Sequence, residues 1–190
     1  MGNKYTEEIF NDLITKLFVY DYDGTLINTP LPEDGKPMWE KFHGKEYPHV
    51  GWWSKIESMD MDVFEMVTLP EALGFYKISK AMDDAANIMM TGRRETTVLM
   101  DRCKEILDSH GFEFDQYRYN YGGETCENKI SQLTKVLVVN PNIVEVTLYD
   151  DRDAHIPTFT EWGNGLVESG RLTKFDIVHI KGDHHLRMSD

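Results

Sequence analysis

The chain has 190 residues, 41% of them hydrophobic, and a formal net charge of −13. That length fits one domain with a small insertion, and that apolar content can build a core, which excludes wholesale disorder. No apolar run approaches a membrane span, the opening MGNKYTEEIF lacks a signal core, and the acidic surplus argues against a long electrostatic grip on nucleic acid.

One phosphorylated end could still bind where a metal and a few basic side chains dominate locally. Cys103 and Cys126 are too few for a disulfide framework and point to a reducing, cytoplasmic setting with no membrane association. MGNKYT matches the loose M-G-x-x-x-[ST] acylation pattern around Gly2, a match given little weight.

Phe10, Leu13, Ile14 and Leu17 recur at helical spacing and predict a short amphipathic helix over 6–17. Leu17 to Tyr20 then reads as a buried strand that stops at Asp21-Tyr22-Asp23-Gly24. Residues 28–51 hold Pro30, Pro32, Gly35, Pro37, Gly44, Pro48 and Gly51, which predicts a long irregular loop insertion of functional character. A helix follows over about 70–85, and Asn87 to Met90 is a second strand before Thr91-Gly92. The next helix, 94–109, carries Leu99, Cys103, Ile106 and Leu107 on one face and stops at Gly111. Phe114 to Tyr119 suits a strand, Ile130, Leu133 and Leu137 mark a helix closed by Asn140-Pro141, and Val144 to Tyr149 is a strand ending in Asp150-Asp151. A helix over about 153–162 stops at Gly163, and Phe175 to Ile180 is the last strand.

This alternation predicts βαβ units, hence a three-layer α/β, Rossmann-like parallel sheet with helices on both faces. Ligands of such sheets sit beyond the carboxyl ends of the strands. Three predicted strands end in Asp21/Asp23, Thr91 and Asp150/Asp151, so the sheet should bring these clusters to one rim. Crowded carboxylates raise one another's pKa unless a cation sits among them, and Mg²⁺ suits an all-oxygen site that also meets phosphate. Asp21, at the strand end, is then the natural nucleophile, and Asp23 the acid and base for leaving group and water. Gly24 allows the sharp turn. Thr91 can donate to a phosphoryl group, and the helix after it can offer backbone N–H groups to an anion. Lys129 can neutralise the nucleophile and the phosphoryl oxygens; Lys135 is its competitor.

Asp21-Tyr22-Asp23-Gly24-Thr25 resembles the DxDGT motif of the haloacid dehalogenase superfamily, and Thr91, Lys129 and Asp150-Asp151 resemble its later motifs in order. The resemblance implies a haloacid-dehalogenase-like fold and hydrolysis through an aspartyl-phosphate, because an Asp at position 23 is what the phosphatases carry. Gly51-Trp52-Trp53, Thr91-Gly92-Arg93, Phe112 to Asp115, Thr125 with Lys129, and Tyr149 to Arg152 with His155 are similar to the haloacid dehalogenase domain of Swiss Army Knife RNA-repair proteins. That narrower resemblance covers about 17–160 and implies a phosphatase of nucleic-acid phosphate ends. The insertion at 28–51 departs from it, and no G-x-x-x-x-G-K-[ST] loop supplies a kinase half.

The stretch between Asp23 and Thr91 leaves room for little or no cap, and an open rim admits a large substrate. The expected site is therefore Asp21, Asp23, Thr91 and Lys129 for catalysis, Asp21, Asp23, Asp150 and Asp151 for Mg²⁺, and Gly92 and Arg93 for substrate. One of Asp150 and Asp151 also suits a helix N-cap. Arg93 and Arg94 read either as phosphate ligands or as solvated cations, and Arg152 and His155 either as a support for the metal carboxylates or as a surface pair. Trp52 and Trp53 read as packing residues, with base stacking the minority reading. His184-His185 reads as an exposed tail. A nucleotide or other small phosphoester is the alternative substrate, and a non-catalytic binding protein the remaining one. The Gly24 spacing excludes an EF-hand, and the absence of Arg six residues after either Cys excludes a cysteine-phosphatase loop.

Overall fold

The computed structural model describes residues 9–181; Gly2, residues 6–8 of the expected first helix, and His184-His185 lie outside them. Five parallel strands form one sheet: β1 (Lys16–Tyr20), β2 (Ala85–Arg94), β3 (Gln116–Asn120), β4 (Glu145–Asp150) and β5 (Lys174–His179), in the order β3-β2-β1-β4-β5. Five α-helices accompany them: α1 (Pro32–His43), α2 (Pro70–Lys80), α3 (Thr97–Ser109), α4 (Thr125–Val139) and α5 (Ile156–Glu168). Period-two alternation divides the core between the sheet faces. Leu17 and Val19 of β1 join Ala86, Ile88, Met90, Val146 and Leu148 against α4 and α5, through Leu133, Val136, Leu137 and Phe159. Tyr20, Met89 and Tyr149 point the other way, onto Ala72 and Tyr76 of α2 and Leu99, Cys103 and Ile106 of α3. The α/β three-layer expectation holds. Among the described residues no helix is long and apolar enough to cross a membrane.

Several boundaries differ from expectation, among them the end of α2, which stops at Lys80 rather than near residue 85, where β2 begins. Residues 9–15 form no helix, because the Asn11 side chain accepts from Leu13 N at 3.1 Å and Ile14 N donates to Asn11 O, a local turn that competes with helical bonding. The 28–51 stretch is not one irregular loop but contains α1. Pro32 stands at its first turn, where no intrahelical N–H is needed, Glu33 and Asp34 favour the N-terminus, and Gly44 closes it at φ 67°. Strand β2 runs on through Thr91, Gly92, Arg93 and Arg94, so α3 starts at Thr97 rather than directly behind Thr91. Finally, α5 continues past Gly163 to Glu168, with Gly163 buried against the ring of Phe175, so that glycine serves close packing instead of ending the helix.

In the structure the excursion does not end at residue 51 but returns at Val67, whose carbonyl accepts from Asn28 N, and this longer insertion belongs to the core. Trp39 of α1 and Trp52 are both buried, and Trp52 packs edge-on to Phe64 with ring centroids 6.0 Å apart. Its Nε1 donates to Pro30 O at 2.8 Å. A Cβ on Gly35 would come within 2.2 Å of the Trp52 ring. Gly35→Ala should therefore lower stability by about 1–3 kcal/mol, read as a lower urea midpoint, despite the better helix propensity of Ala. An unchanged or higher midpoint would show that the Trp52 ring yields freely.

Candidate active site

The parallel register aligns Tyr20 with both Met89 and Tyr149, which sets the carboxyl ends of β1, β2 and β4 side by side. Asp21 follows Tyr20 directly, and its N–H donates to Tyr149 O at 2.9 Å. Lys129, in the second turn of α4, reaches under the rim. Its Nζ lies 2.9 Å from Asp21 Oδ1 and 2.8 Å from Asp150 Oδ2. Tyr22 N also donates to Asp21 Oδ1, at 2.8 Å. Asp21 Oδ1 is thus held by two donors. His155 Nδ1 lies 3.1 Å from Asp150 Oδ1; an ionised carboxylate only accepts, so this nitrogen carries the proton.

Asp21, Asp150 and Asp151 each bring a carboxylate oxygen within 4.8 Å of the others. Asp151 Oδ1 is buried without a hydrogen-bond partner. Above it stands Gly24 at φ 69°, where a Cβ would meet Asp151 Oδ2 at 2.2 Å, so the turn after β1 presses on this carboxylate as only a glycine can. An all-oxygen set with one orphaned buried carboxylate oxygen fits a hard divalent cation. Burial, reinforced by Asp150 and Asp151 against the pull of Lys129, pushes Asp21 up to about 7. Burial and Asp150 push Asp151 up to about 7 as well. Burial acts in the same direction on Asp150, but the Lys129 ammonium and His155 outweigh it and hold that carboxyl well below the usual range. Lys129, whose charge burial disfavours, is kept protonated by Asp150 and Asp21. Asp150 and Lys129 form the fixed ion pair; Asp21 and Asp151 are the groups that a bound cation would discharge.

Asp23 is held differently. Arg93 Nε lies 3.1 and 3.0 Å from its two carboxylate oxygens, Arg93 Nη2 lies 2.7 Å from Oδ1, and Thr29 Oγ1 donates to Oδ1 at 2.8 Å. The Arg93 side chain is 0% exposed. Its Nη1 continues to Trp53 O at 3.0 Å and Ser58 Oγ at 2.7 Å. Arg93, expected to meet substrate, has its guanidinium occupied by Asp23 and the insertion.

A cleft of about 250 Å³ opens over this rim. Asp21, Asp23, Gly24 and Asp151 line its floor; Thr29, Leu31, Pro32 and Trp53 form the insertion side; Gly92, Arg93, Thr125, Arg152 and His155 complete it. Thr91, Lys129 and Asp150 are buried and are not among the lining residues. Thr91 Oγ1 accepts from Arg93 N at 3.1 Å. Three helices begin at the cleft, α1 at Leu31 and Pro32, α4 at Thr125 and α5 at His155, whereas α3 begins at Thr97, outside the lining. Sequence reasoning missed Thr29 and Ser58, whose roles arise only when the insertion returns to the sheet (Asn28 N to Val67 O, and Ile27 bridging Thr68), a closure without a local signal.

The HAD domain family 1 in Swiss Army Knife RNA repair proteins matches residues 36–188, most of the chain. The chain belongs to this family. It is also 24% identical over 180 residues to the uncharacterised protein YMR265C of Saccharomyces cerevisiae, covering 84% of this chain and 39% of the yeast protein. The chain thus spans well under half of that relative. Among solved structures, the HAD domain of the effector protein Lem4 from Legionella pneumophila, an inactive mutant, aligns with a TM-score of 0.53 at 13% identity, covering 90% of this chain and 87% of that one. A chain of the Pnkp1/Rnl/Hen1 RNA repair complex aligns with a TM-score of 0.50 at 13% identity, covering 96% of this chain and 48% of that one. These likenesses show the HAD fold, and family membership suggests a phosphatase-type function.

Two outcomes are expected. Asp23→Ala should cost about 3–5 kcal/mol in chemical denaturation, because it strands the fully buried Arg93 charge. Removal of a purely catalytic carboxylate would instead leave the midpoint unchanged or raised. Without metal, the folded protein holds extra protons on Asp21 and Asp151 from about pH 4 to about 7, so melting temperature should fall as pH rises through that window. Asp151→Asn should flatten that slope in chelator-treated protein; an unaltered slope would place the strain elsewhere.

Proposed function

We propose that the protein is a phosphomonoester hydrolase in which Asp21 attacks phosphorus, acting on nucleic-acid phosphate ends. The observation that carries this reading is the Asp21 carboxylate, fixed through one oxygen by Lys129 and the Tyr22 N–H, with Asp23 lining the same cleft. An Asp21 oxygen forms the new bond to phosphorus while the ester P–O bond breaks. Asp23, having first taken a proton from solvent in the substrate complex against the pull of Arg93, gives that proton to the departing oxygen, then takes one from water as that water displaces phosphate from Asp21. Lys129 neutralises charge beside the nucleophile throughout. Thr91 is assigned to the phosphoryl group through its hydroxyl, and Gly92 and Arg93 to the cleft wall that the phosphate passes. Asp21, Asp150 or Asp151 and the backbone carbonyl of Asp23 would hold Mg²⁺, which supplies charge neutralisation on the rim and on the phosphoryl oxygens.

The same reading treats the chain as one phosphatase domain with the 28–51 insertion folded into it. Cys103 and Cys126 are free and buried, which suits a cytoplasmic setting. The net charge of −13 favours a second substrate class, free nucleotides, over long polyanions.

Asp21→Asn should abolish phosphate release from 3′- and 5′-phosphorylated oligonucleotides and mononucleotides while leaving the circular dichroism spectrum unchanged. Chelation should silence the native protein and Mg²⁺ restore it. Turnover surviving Asp21→Asn would move the nucleophile elsewhere.

A further inference from the structure

The insertion side of the cleft differs in chemistry from the rest. It brings Leu31, Pro32 and the partly buried Trp53 into the lining of the same cleft as the carboxylates Asp21, Asp23 and Asp151. The hydroxyl on that side, Thr29 Oγ1, already donates to Asp23. A polyhydroxylated leaving group would therefore meet apolar surface and leave its hydroxyls unpaired, at a real cost in binding. A flat aromatic ring would meet a surface of matching shape.

That surface is also built rigidly. Arg93 Nη1 donates to Trp53 O at 3.0 Å, and its guanidinium carbon lies 5.5 Å from the Trp53 ring centroid. Trp52, next in chain, anchors the opposite corner by donating to Pro30 O, so the Pro30–Pro32 segment and the Trp52–Trp53 step are tied together. Such a wall loses little freedom when a ligand stacks on it.

We propose that Trp53, with Leu31 and Pro32, is a specificity-determining subsite that stacks the nucleobase of the leaving group, so that base-bearing phosphoesters are selected over sugar phosphates. The proposal rests on the hydrolase reading for its kinetic consequence, but not for binding itself. It applies equally to a free nucleotide and to the last nucleotide of a strand.

The test compares adenosine 5′-monophosphate with ribose 5-phosphate, which share phosphate and sugar and differ in the base. With Mg²⁺ present, Trp53→Ala should lower the ratio of kcat/KM values (nucleotide over sugar phosphate) by about tenfold or more, and Trp53→Phe should recover most of it. An unchanged ratio, with both substrates slowed alike, would mean that Trp53 only supports Arg93 and would overturn the subsite. Binding is read separately: adenosine 5′-monophosphate should quench the tryptophan fluorescence of Asp21→Asn, and adding Trp53→Phe should remove most of that quench. Quenching through Trp53 in a protein that hydrolyses neither ester would uphold the subsite and sink the hydrolase reading; no quench through Trp53 would overturn the subsite whatever the turnover.

Discussion

The buried ammonium of Lys129, shared between Asp21 and Asp150, is the interaction on which the rim depends. Three carboxylates with oxygens inside 4.8 Å cannot all be ionised in a desolvated setting without compensation. Lys129 satisfies Asp150 fully, with help from His155, and Asp21 only on one side. What remains is a deliberate imbalance: one carboxylate locked, two left raised and short of positive charge. The sheet creates this geometry because β1 and β4 are neighbours in register, and α4 supplies the lysine from beneath.

A second constraint sits beside it. Arg93 ties the end of β2 to the turn after β1 through Asp23, and to the insertion through Trp53 O and Ser58. Asp23 therefore does two things at once, facing the cleft while neutralising a fully buried cation. The insertion, in turn, is not an appendage. Its tryptophans complete the core under α2 and α3, and its outer edge becomes one wall of the cleft.

Much of this was legible in the residues. Apolar runs ending in acid or hydroxyl groups marked β1, β2 and β4, and their alternation with helical spacing implied parallel pairing, which brings Asp21, Asp150 and Asp151 together. Lys129 was legible from its place near a helix start. The insertion was not, because Pro and Gly read as loop residues unless they stand at a helix's first turn and just past its last, as Pro32 and Gly44 do. Arg93 carried no sign of its burial, since a cation's exposure is decided by partners far away in sequence, here Asp23 and Ser58. Nor did Gly163 announce that it packs on a ring instead of ending a helix.

The strand order has a further consequence for biogenesis. The central strand emerges first during synthesis, yet its partner β4 and the lysine of α4 come more than a hundred residues later. A nascent chain that exposes only its first half can pair β1 with β2 but has nothing to set against Asp21 on the other side. The acidic rim therefore closes only once α4 and β4 have been made, and until then the edge of β1 that faces β4 lacks its partner.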